Sequence, residues 1–303
     1  MKIASLTSMD RVHLKRVTEG MVALPTLPLV ASRLLESIAD PDSTASEEIG
    51  ALIALDPSLT ARTLKLANSD FYGFPRKVGT VDLAVVVLGP DTIRDLVLGA
   101  SVFQTLDPTW KTLTGLWSHS LACGVASRAL ADRCCYRLEA EAFAAGMLHD
   151  IGKVALRQTY PERFEAAMAL VREQGISMAE AERGVLGSDH AEVGGWLAER
   201  WGLPGDLVEA IACHHRPEQA RLNPELTSLV HIADWLAGRT GNSWPPEAET
   251  GSVSQFAWEC VGAGESEVER EALLEDLVPF IQRAVRREQE LFRHFRDPQE
   301  AGT

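Results

Sequence analysis

Apolar residues recur at helical spacing along almost the whole chain, and this periodicity restricts it to helices packed on helices. Thr44 and Glu47 form a capping-box start for a helix carrying Ile49, Leu52 and Ile53. Asp56 and Pro57 supply an N-cap and a first-turn proline for a helix with Leu59, Leu64 and Ala67. The run Val85-Val86-Val87-Leu88 is β-branched enough for a strand. However, Val81, Ala84, Val85 and Leu88 share one helical face and Gly89-Pro90 stops it, so a helix is expected. Asp91 is expected to cap the next helix, through Ile93, Leu96, Val97 and Ala100. The expected fold class is all-α.

The clearest break runs from Arg239 to Gly264, where Gly, Ser, Thr and a Pro-Pro pair are mixed with Trp244, Phe256 and Trp258. Beyond it, Val268, Leu274, Leu277, Ile281, Ala284, Val285, Leu291 and Phe295 trace an amphipathic stripe that Pro279 is expected to kink or split. This break sets apart a loop at 241–264 and C-terminal helices at 265–303. The stripe reads as core packing, with a homodimer contact through the C-terminal helices as the alternative. No fixed-period repeat is present, which argues against a solenoid.

Charge narrows the partners. A formal net charge of −14 and a pI of about 5.1 argue against nucleic acid and anionic membrane surfaces, which reward a basic face. Leu59 to Asn68 followed by a glycine turn imitates a helix-turn-helix, but Arg76 and Lys77 do not make a broad basic face. The longest apolar runs, Leu83 to Gly89 and Leu96 to Phe103, fall far short of the ~20 residues of a membrane span. The start lacks a secretory apolar region. Five cysteines (Cys123, Cys134, Cys135, Cys213, Cys260) form no CxxC pair and suit a reduced interior, with the vicinal Cys134-Cys135 read as inert. The expected location is cytoplasmic.

Histidine placement carries the chemistry. Six of the eight histidines lie between positions 119 and 231, and in order the chain offers His119, His149-Asp150, His190, His214-His215 and Asp234, each within an apolar helical pattern. Imidazole and carboxylate together suit one or two divalent transition-metal ions (Fe, Mn, Ni, Co or Zn), whereas an all-oxygen set would suit Mg or Ca. Adjacent helical positions point about 100° apart, so His149 and Asp150 both ligate only a metal lying between their directions. Asp150 is the natural bridge between two ions. His119, His149, Asp150 and Asp234 would hold one, and Asp150, His190 and His214 the second, with His215 as a further ligand or supporting donor. Two such ions activate a water and clamp a phosphoryl oxygen or, when both are iron, activate dioxygen. One buried histidine is ordinarily a hydrogen-bonded core residue, but so many polar groups are costly to bury unless they share a partner.

These residues resemble the HD superfamily, in which a His, a His-Asp doublet and a downstream Asp hold metal in a helical bundle. The string Gly146-Met147-Leu148-His149-Asp150-Ile151-Gly152-Lys153 is similar to its central motif. More narrowly, Leu24-Pro25-Thr26-Leu27-Pro28, Asp56-Pro57-Ser58-Leu59, Leu66-Ala67-Asn68-Ser69 with Tyr72-Gly73, and Val87-Leu88-Gly89 resemble the first lobe of the bacterial HDOD domain. His190-Ala191-Glu192-Val193-Gly194, Trp201-Gly202-Leu203-Pro204 and Ile211-Ala212-Cys213-His214-His215 resemble its second half. The resemblance implies an N-terminal helical lobe at 1–110 joined to an HD-type metal-binding bundle at 111–240, and a role in bacterial signal transduction, with signalling proteins or a small phosphorylated ligand as partners. A metal-dependent phosphohydrolase acting on a nucleotide or phosphodiester is the alternative, and a diiron oxygenase a more distant one. Asp150 and Lys153 would then be the catalytic residues. Lys153 stands where HD phosphohydrolases place a lysine near substrate phosphate; otherwise it reads as a solvated helix-end cation. The related HD-GYP phosphodiesterases carry a Gly-Tyr-Pro loop after the His-His pair, where this chain has Arg216-Pro217-Glu218-Gln219.

Overall fold

The computed structural model describes residues 28–38, 46–73, 77–106, 114–248, 251–263 and 266–296. Thr44 of the capping box, residues 24–27 and Arg76 lie outside them, as does the side chain of Phe295. The described residues are helical with no strand, and the fold class is all-α.

The first lobe holds α1 (Leu29–Ile38), α2 (Ser46–Ala54), α3 (Pro57–Ala67), α4 (Val81–Leu88) and α5 (Pro90–Leu106). Asp56 caps α3 by accepting from the Ser58 and Leu59 amides at 2.7 and 3.2 Å. Past α3, the Asn68 side chain pairs with both backbone groups of Val78, at 2.9 and 2.8 Å, and so pins the following loop. The valine run is helical as expected and ends at Gly89, whose φ of 88° favours glycine. The next helix starts two residues earlier than expected, at Pro90. The Gly89 carbonyl already accepts from the Ile93 amide at 3.1 Å, and Asp91 pairs with Arg94 at 2.7 Å instead of capping.

The bundle is built from α6 (Thr114–Arg133), α7 (Glu139–Leu148), α8 (Ile151–Thr159), α9 (Pro161–Gln174), α10 (Met178–Leu186), α11 (His190–Arg200), α12 (Gly205–Cys213) and α13 (Pro224–Arg239). Between positions 241 and 264 a short helix, α14 (Gln255–Cys260), packs on α13. The long α15 (Glu267–Arg296) runs through Pro279 without splitting, and it packs against α3, α5 and α6. Burial there outweighs the one backbone bond that proline removes. Leu277, Ile281, Val285, Leu291 and Phe292 of α15 are buried within this chain, while Val268 at the start of the stripe is 74% exposed.

Helix α6 packs on α7 and α13, and α11 packs on α8 and α12. Glycine sets the distance at two of these contacts. A Cβ on Gly146 would lie 2.7 Å from the Cys123 carbonyl oxygen of α6. A Cβ on Gly152 would run into the His190 carbonyl oxygen and come within 2.7 Å of the Gly194 nitrogen. Backbone cannot yield as a flexible side chain would. Gly152→Ala should therefore cost at least ~2–3 kcal/mol of stability, read by denaturant unfolding, because it forces α8 off α11.

Candidate metal centre

Both doublets expected inside helices stand instead at helix ends. His149 closes α7 and Asp150 precedes α8, while His214 closes α12 and His215 follows it. A turn frees neighbouring side chains from the helical angle between them, so both members of a doublet can face one point. Asp150 occupies the N-cap position of α8 but makes no capping bond, which leaves its carboxylate for the interior. His190 opens α11, and there Asp189 does the capping. His119 comes from the middle of α6 and Asp234 from α13.

The structure brings all of these side chains together. His119 Nε2 lies 3.3 Å from His149 Nε2, 3.4 Å from Asp150 Oδ2 and 3.1 Å from Asp234 Oδ1. His149 Nε2 lies 3.4 Å from the same Asp150 oxygen and 3.8 Å from Asp234 Oδ1. The other Asp150 oxygen, Oδ1, faces His190 Nε2 at 3.1 Å, and His190 Nε2 is 2.8 Å from His215 Nε2. His190, His214 and His215 form one group with metal-binding spacing; His119, His149 and Asp150 form a second, and His149, His214 and Asp234 a third.

Four of these imidazoles are held by Nδ1. His119 Nδ1 donates to the Asn242 carbonyl at 2.8 Å, His149 to Gly146 at 2.7 Å, His214 to Ile211 at 2.8 Å, and His190 to Glu182 Oε2 at 2.6 Å. In the neutral ring that bond fixes the tautomer, so Nε2 turns toward the centre and offers its lone pair there once any proton on it is displaced. His214 Nε2 is buried with no hydrogen-bond partner, and Asp150 Oδ1 makes no well-aligned hydrogen bond. Inward lone pairs, an orphaned imidazole nitrogen and a mixed nitrogen and oxygen donor set fit a metal ion.

Electrostatics agree. Burial alone would raise the Asp150 carboxyl, but His149, Lys153 and His190 around it outweigh this and hold it well below the usual range. Asp234 is likewise held down, chiefly by its bond to His119. Burial lowers the pKa values of His149, His214 and His215, that of His214 to about 3. For His119, burial is outweighed by Asp150 and Asp234, and its pKa rises to about 9. For His190, burial is outweighed chiefly by Glu182, again giving about 9.

Lys153 is not the solvated cation that one reading of the sequence expected. It lies in the first turn of α8, 5% exposed, with Nζ 2.6 Å from Asp150 Oδ2 and 3.4 Å from the Trp244 carbonyl. A cleft of about 260 Å³ opens over the centre, with His119, Lys153, His190, His215 and Asp234 at its base. Trp235 and Trp244 stand among its walls, with Arg183 and Ser177 also lining it. Two supports escaped the sequence reading. Glu182 resembles any glutamate of an amphipathic helix, and Asn242 acts through a backbone carbonyl that no side chain announces. Each is legible only once α10 and the loop after α13 are placed.

The sequence profile of the HDOD domain matches residues 24–217. This chain belongs to the HDOD family. The solved structure of an HDOD domain protein of unknown function from Geobacter sulfurreducens is 27% identical, covers 92% of this chain and 98% of its own, and superposes with a TM-score of 0.75. A candidate phosphohydrolase from Shewanella amazonensis is 27% identical, with 93% and 97% coverage and a TM-score of 0.68. An uncharacterized protein of Treponema pallidum is 30% identical over 235 residues, which are 76% of this chain and 46% of that protein. The chain thus spans about half the length of this curated relative. No helix among the described residues is long and apolar enough to cross a membrane.

Because His119 and His190 hold protons up to about pH 9, a metal binding at neutral pH must displace them. Metal added to weakly buffered protein at pH 7 should release protons, and affinity should fall as pH drops below about 9. Potentiometric titration beside elemental analysis checks this. His149→Ala should abolish stoichiometric metal in the same assay.

Proposed function

We propose that this HDOD protein is a bacterial signal-transduction protein whose cleft receives a small phosphorylated ligand over a two-ion site and hydrolyses it. The observation that carries the reading is the division of the Asp150 carboxylate, with Oδ2 toward His119 and His149 and Oδ1 toward His190. On this reading His119, His149, Asp150 and Asp234 hold one ion. Asp150, His190 and His215 hold the other, and His214 borders both.

Ions held there supply an activated water and positive charge for a phosphoryl oxygen. The chain's own residues supply the rest. Lys153, its ammonium between Asp150 and the cleft, would meet a phosphate oxygen and orient it. Trp244 stacks on Phe164 with ring centroids 6.2 Å apart, which fixes one wall, and its ring centroid lies 5.7 Å from Lys153 Nζ. Trp235 carries Arg239 over its ring at 5.0 Å. A buried ammonium suits an anion better than dioxygen, which favours phosphoester chemistry over a diiron oxygenase.

Pro217–Gln219, where a Gly-Tyr-Pro loop would begin, forms a short 3-10 turn. The reading therefore does not extend to cyclic di-GMP. A second reading, binding and signalling without turnover, is favoured by the direct Lys153–Asp150 ion pair, which engages the carboxylate that would otherwise serve chemistry alone.

A panel of phosphomonoesters and phosphodiesters, tested with Mn²⁺, Co²⁺ and Zn²⁺, decides between the two. Turnover is expected, with Asp150→Ala inactive. Lys153→Met should raise KM ~10- to 100-fold, the cost of one charge-assisted hydrogen bond. A loaded protein that binds phosphoesters but turns none over would contradict hydrolysis and leave the signalling reading.

A further inference from the structure

We propose that Glu182 is a positioning residue that sets the affinity of the histidine-rich half of this centre, so that the two ion positions load unequally. The inference rests on the two-ion reading above. Around Asp150 Oδ2 stand His119 and His149 together with a second carboxylate, Asp234. Around Oδ1 stand His190 and His215, with His214 beside them and no further carboxylate in the group. A divalent ion on neutral imidazoles and one shared carboxylate keeps most of its charge in a buried place, which is unfavourable.

Glu182 answers that imbalance from behind the ligand. It is 0% exposed, and its Oε2 accepts from His190 Nδ1 at 2.6 Å and from the His190 backbone amide at 2.7 Å. The neighbouring Arg183 is directed to Asp189 at 2.5 Å. His119, His149 and His214 rest their Nδ1 on neutral backbone carbonyls, whereas His190 rests on a carboxylate. A carboxylate there makes Nε2 a stronger donor and brings negative charge to the position that lacks its own. Glu182 thus does for one ion what Asp234 does for the other, through one imidazole instead of by contact.

The test is titration calorimetry of the full chain with Zn²⁺ alone, repeated with Co²⁺ so that its visible absorption reports each equivalent. The wild-type chain is expected to bind in two steps. Glu182→Gln should weaken one step ~10- to 100-fold and change the cobalt spectrum of that equivalent alone, leaving the other step unaltered. Circular dichroism and melting in chelator establish that the variant is folded. Glu182→Asp keeps the charge at a longer reach and should be weakened less than E182Q; the reverse order overturns charge compensation. Equal losses at both steps, or none at either, overturn the proposal while leaving two ions in place. A wild-type chain that binds one ion overturns the two-ion reading, and the proposal falls with it.

Discussion

Five imidazoles and two carboxylates crowd within a few ångströms of one another, which is unfavourable unless they share something that answers their charge and lone pairs. Asp150 is the group that ties them together. Its carboxylate is buried, spared from capping its own helix, and turned so that each oxygen meets a different set of histidines. Without that division the two sets of histidines would meet only through His214, which lies beside His149 and Asp234. With it, donors from α6, the α7–α8 turn, α11, the end of α12 and α13 address one centre.

The fold serves this arrangement through helix ends and close backbones. Most of the converging side chains leave from the first or last residues of helices, where the chain changes direction and neighbours can diverge from helical geometry. Gly146 and Gly152 bring α7 and α8 against α6 and α11 closely enough for His149 and Asp150 to reach His119 and His190. The loop after α13 closes the circuit, because the Asn242 carbonyl orients His119 and the Trp244 carbonyl receives Lys153. Gln289 of α15 in turn contacts Asn242 at 3.4 Å, which links the C-terminal helix to the rim of the cleft.

The helical class was legible because apolar spacing is a property of the chain itself, and the Asp56 cap and the α4 stop at Gly89 followed from residue chemistry. The convergent residues were legible too, since histidine and aspartate in apolar surroundings are costly without a partner. What stayed hidden depended on tertiary context. The His-Asp and His-His doublets continue a helical apolar pattern, so nothing local reveals that they sit in turns. Pro279 reads as a breaker until α3, α5 and α6 are seen to bury the helix on either side of it. Lys153 reads as a surface cation until α8 is found to begin at Ile151, which puts it in the buried first turn.

Anomalous diffraction from crystals of the metal-loaded full chain, collected at the absorption edge of the bound metal, tests the shared carboxylate most directly. The account predicts two peaks, one on each side of Asp150, the first among His119, His149 and Asp234 and the second against His190 and His215. A single peak touching one oxygen of Asp150, or none between these side chains, would contradict it.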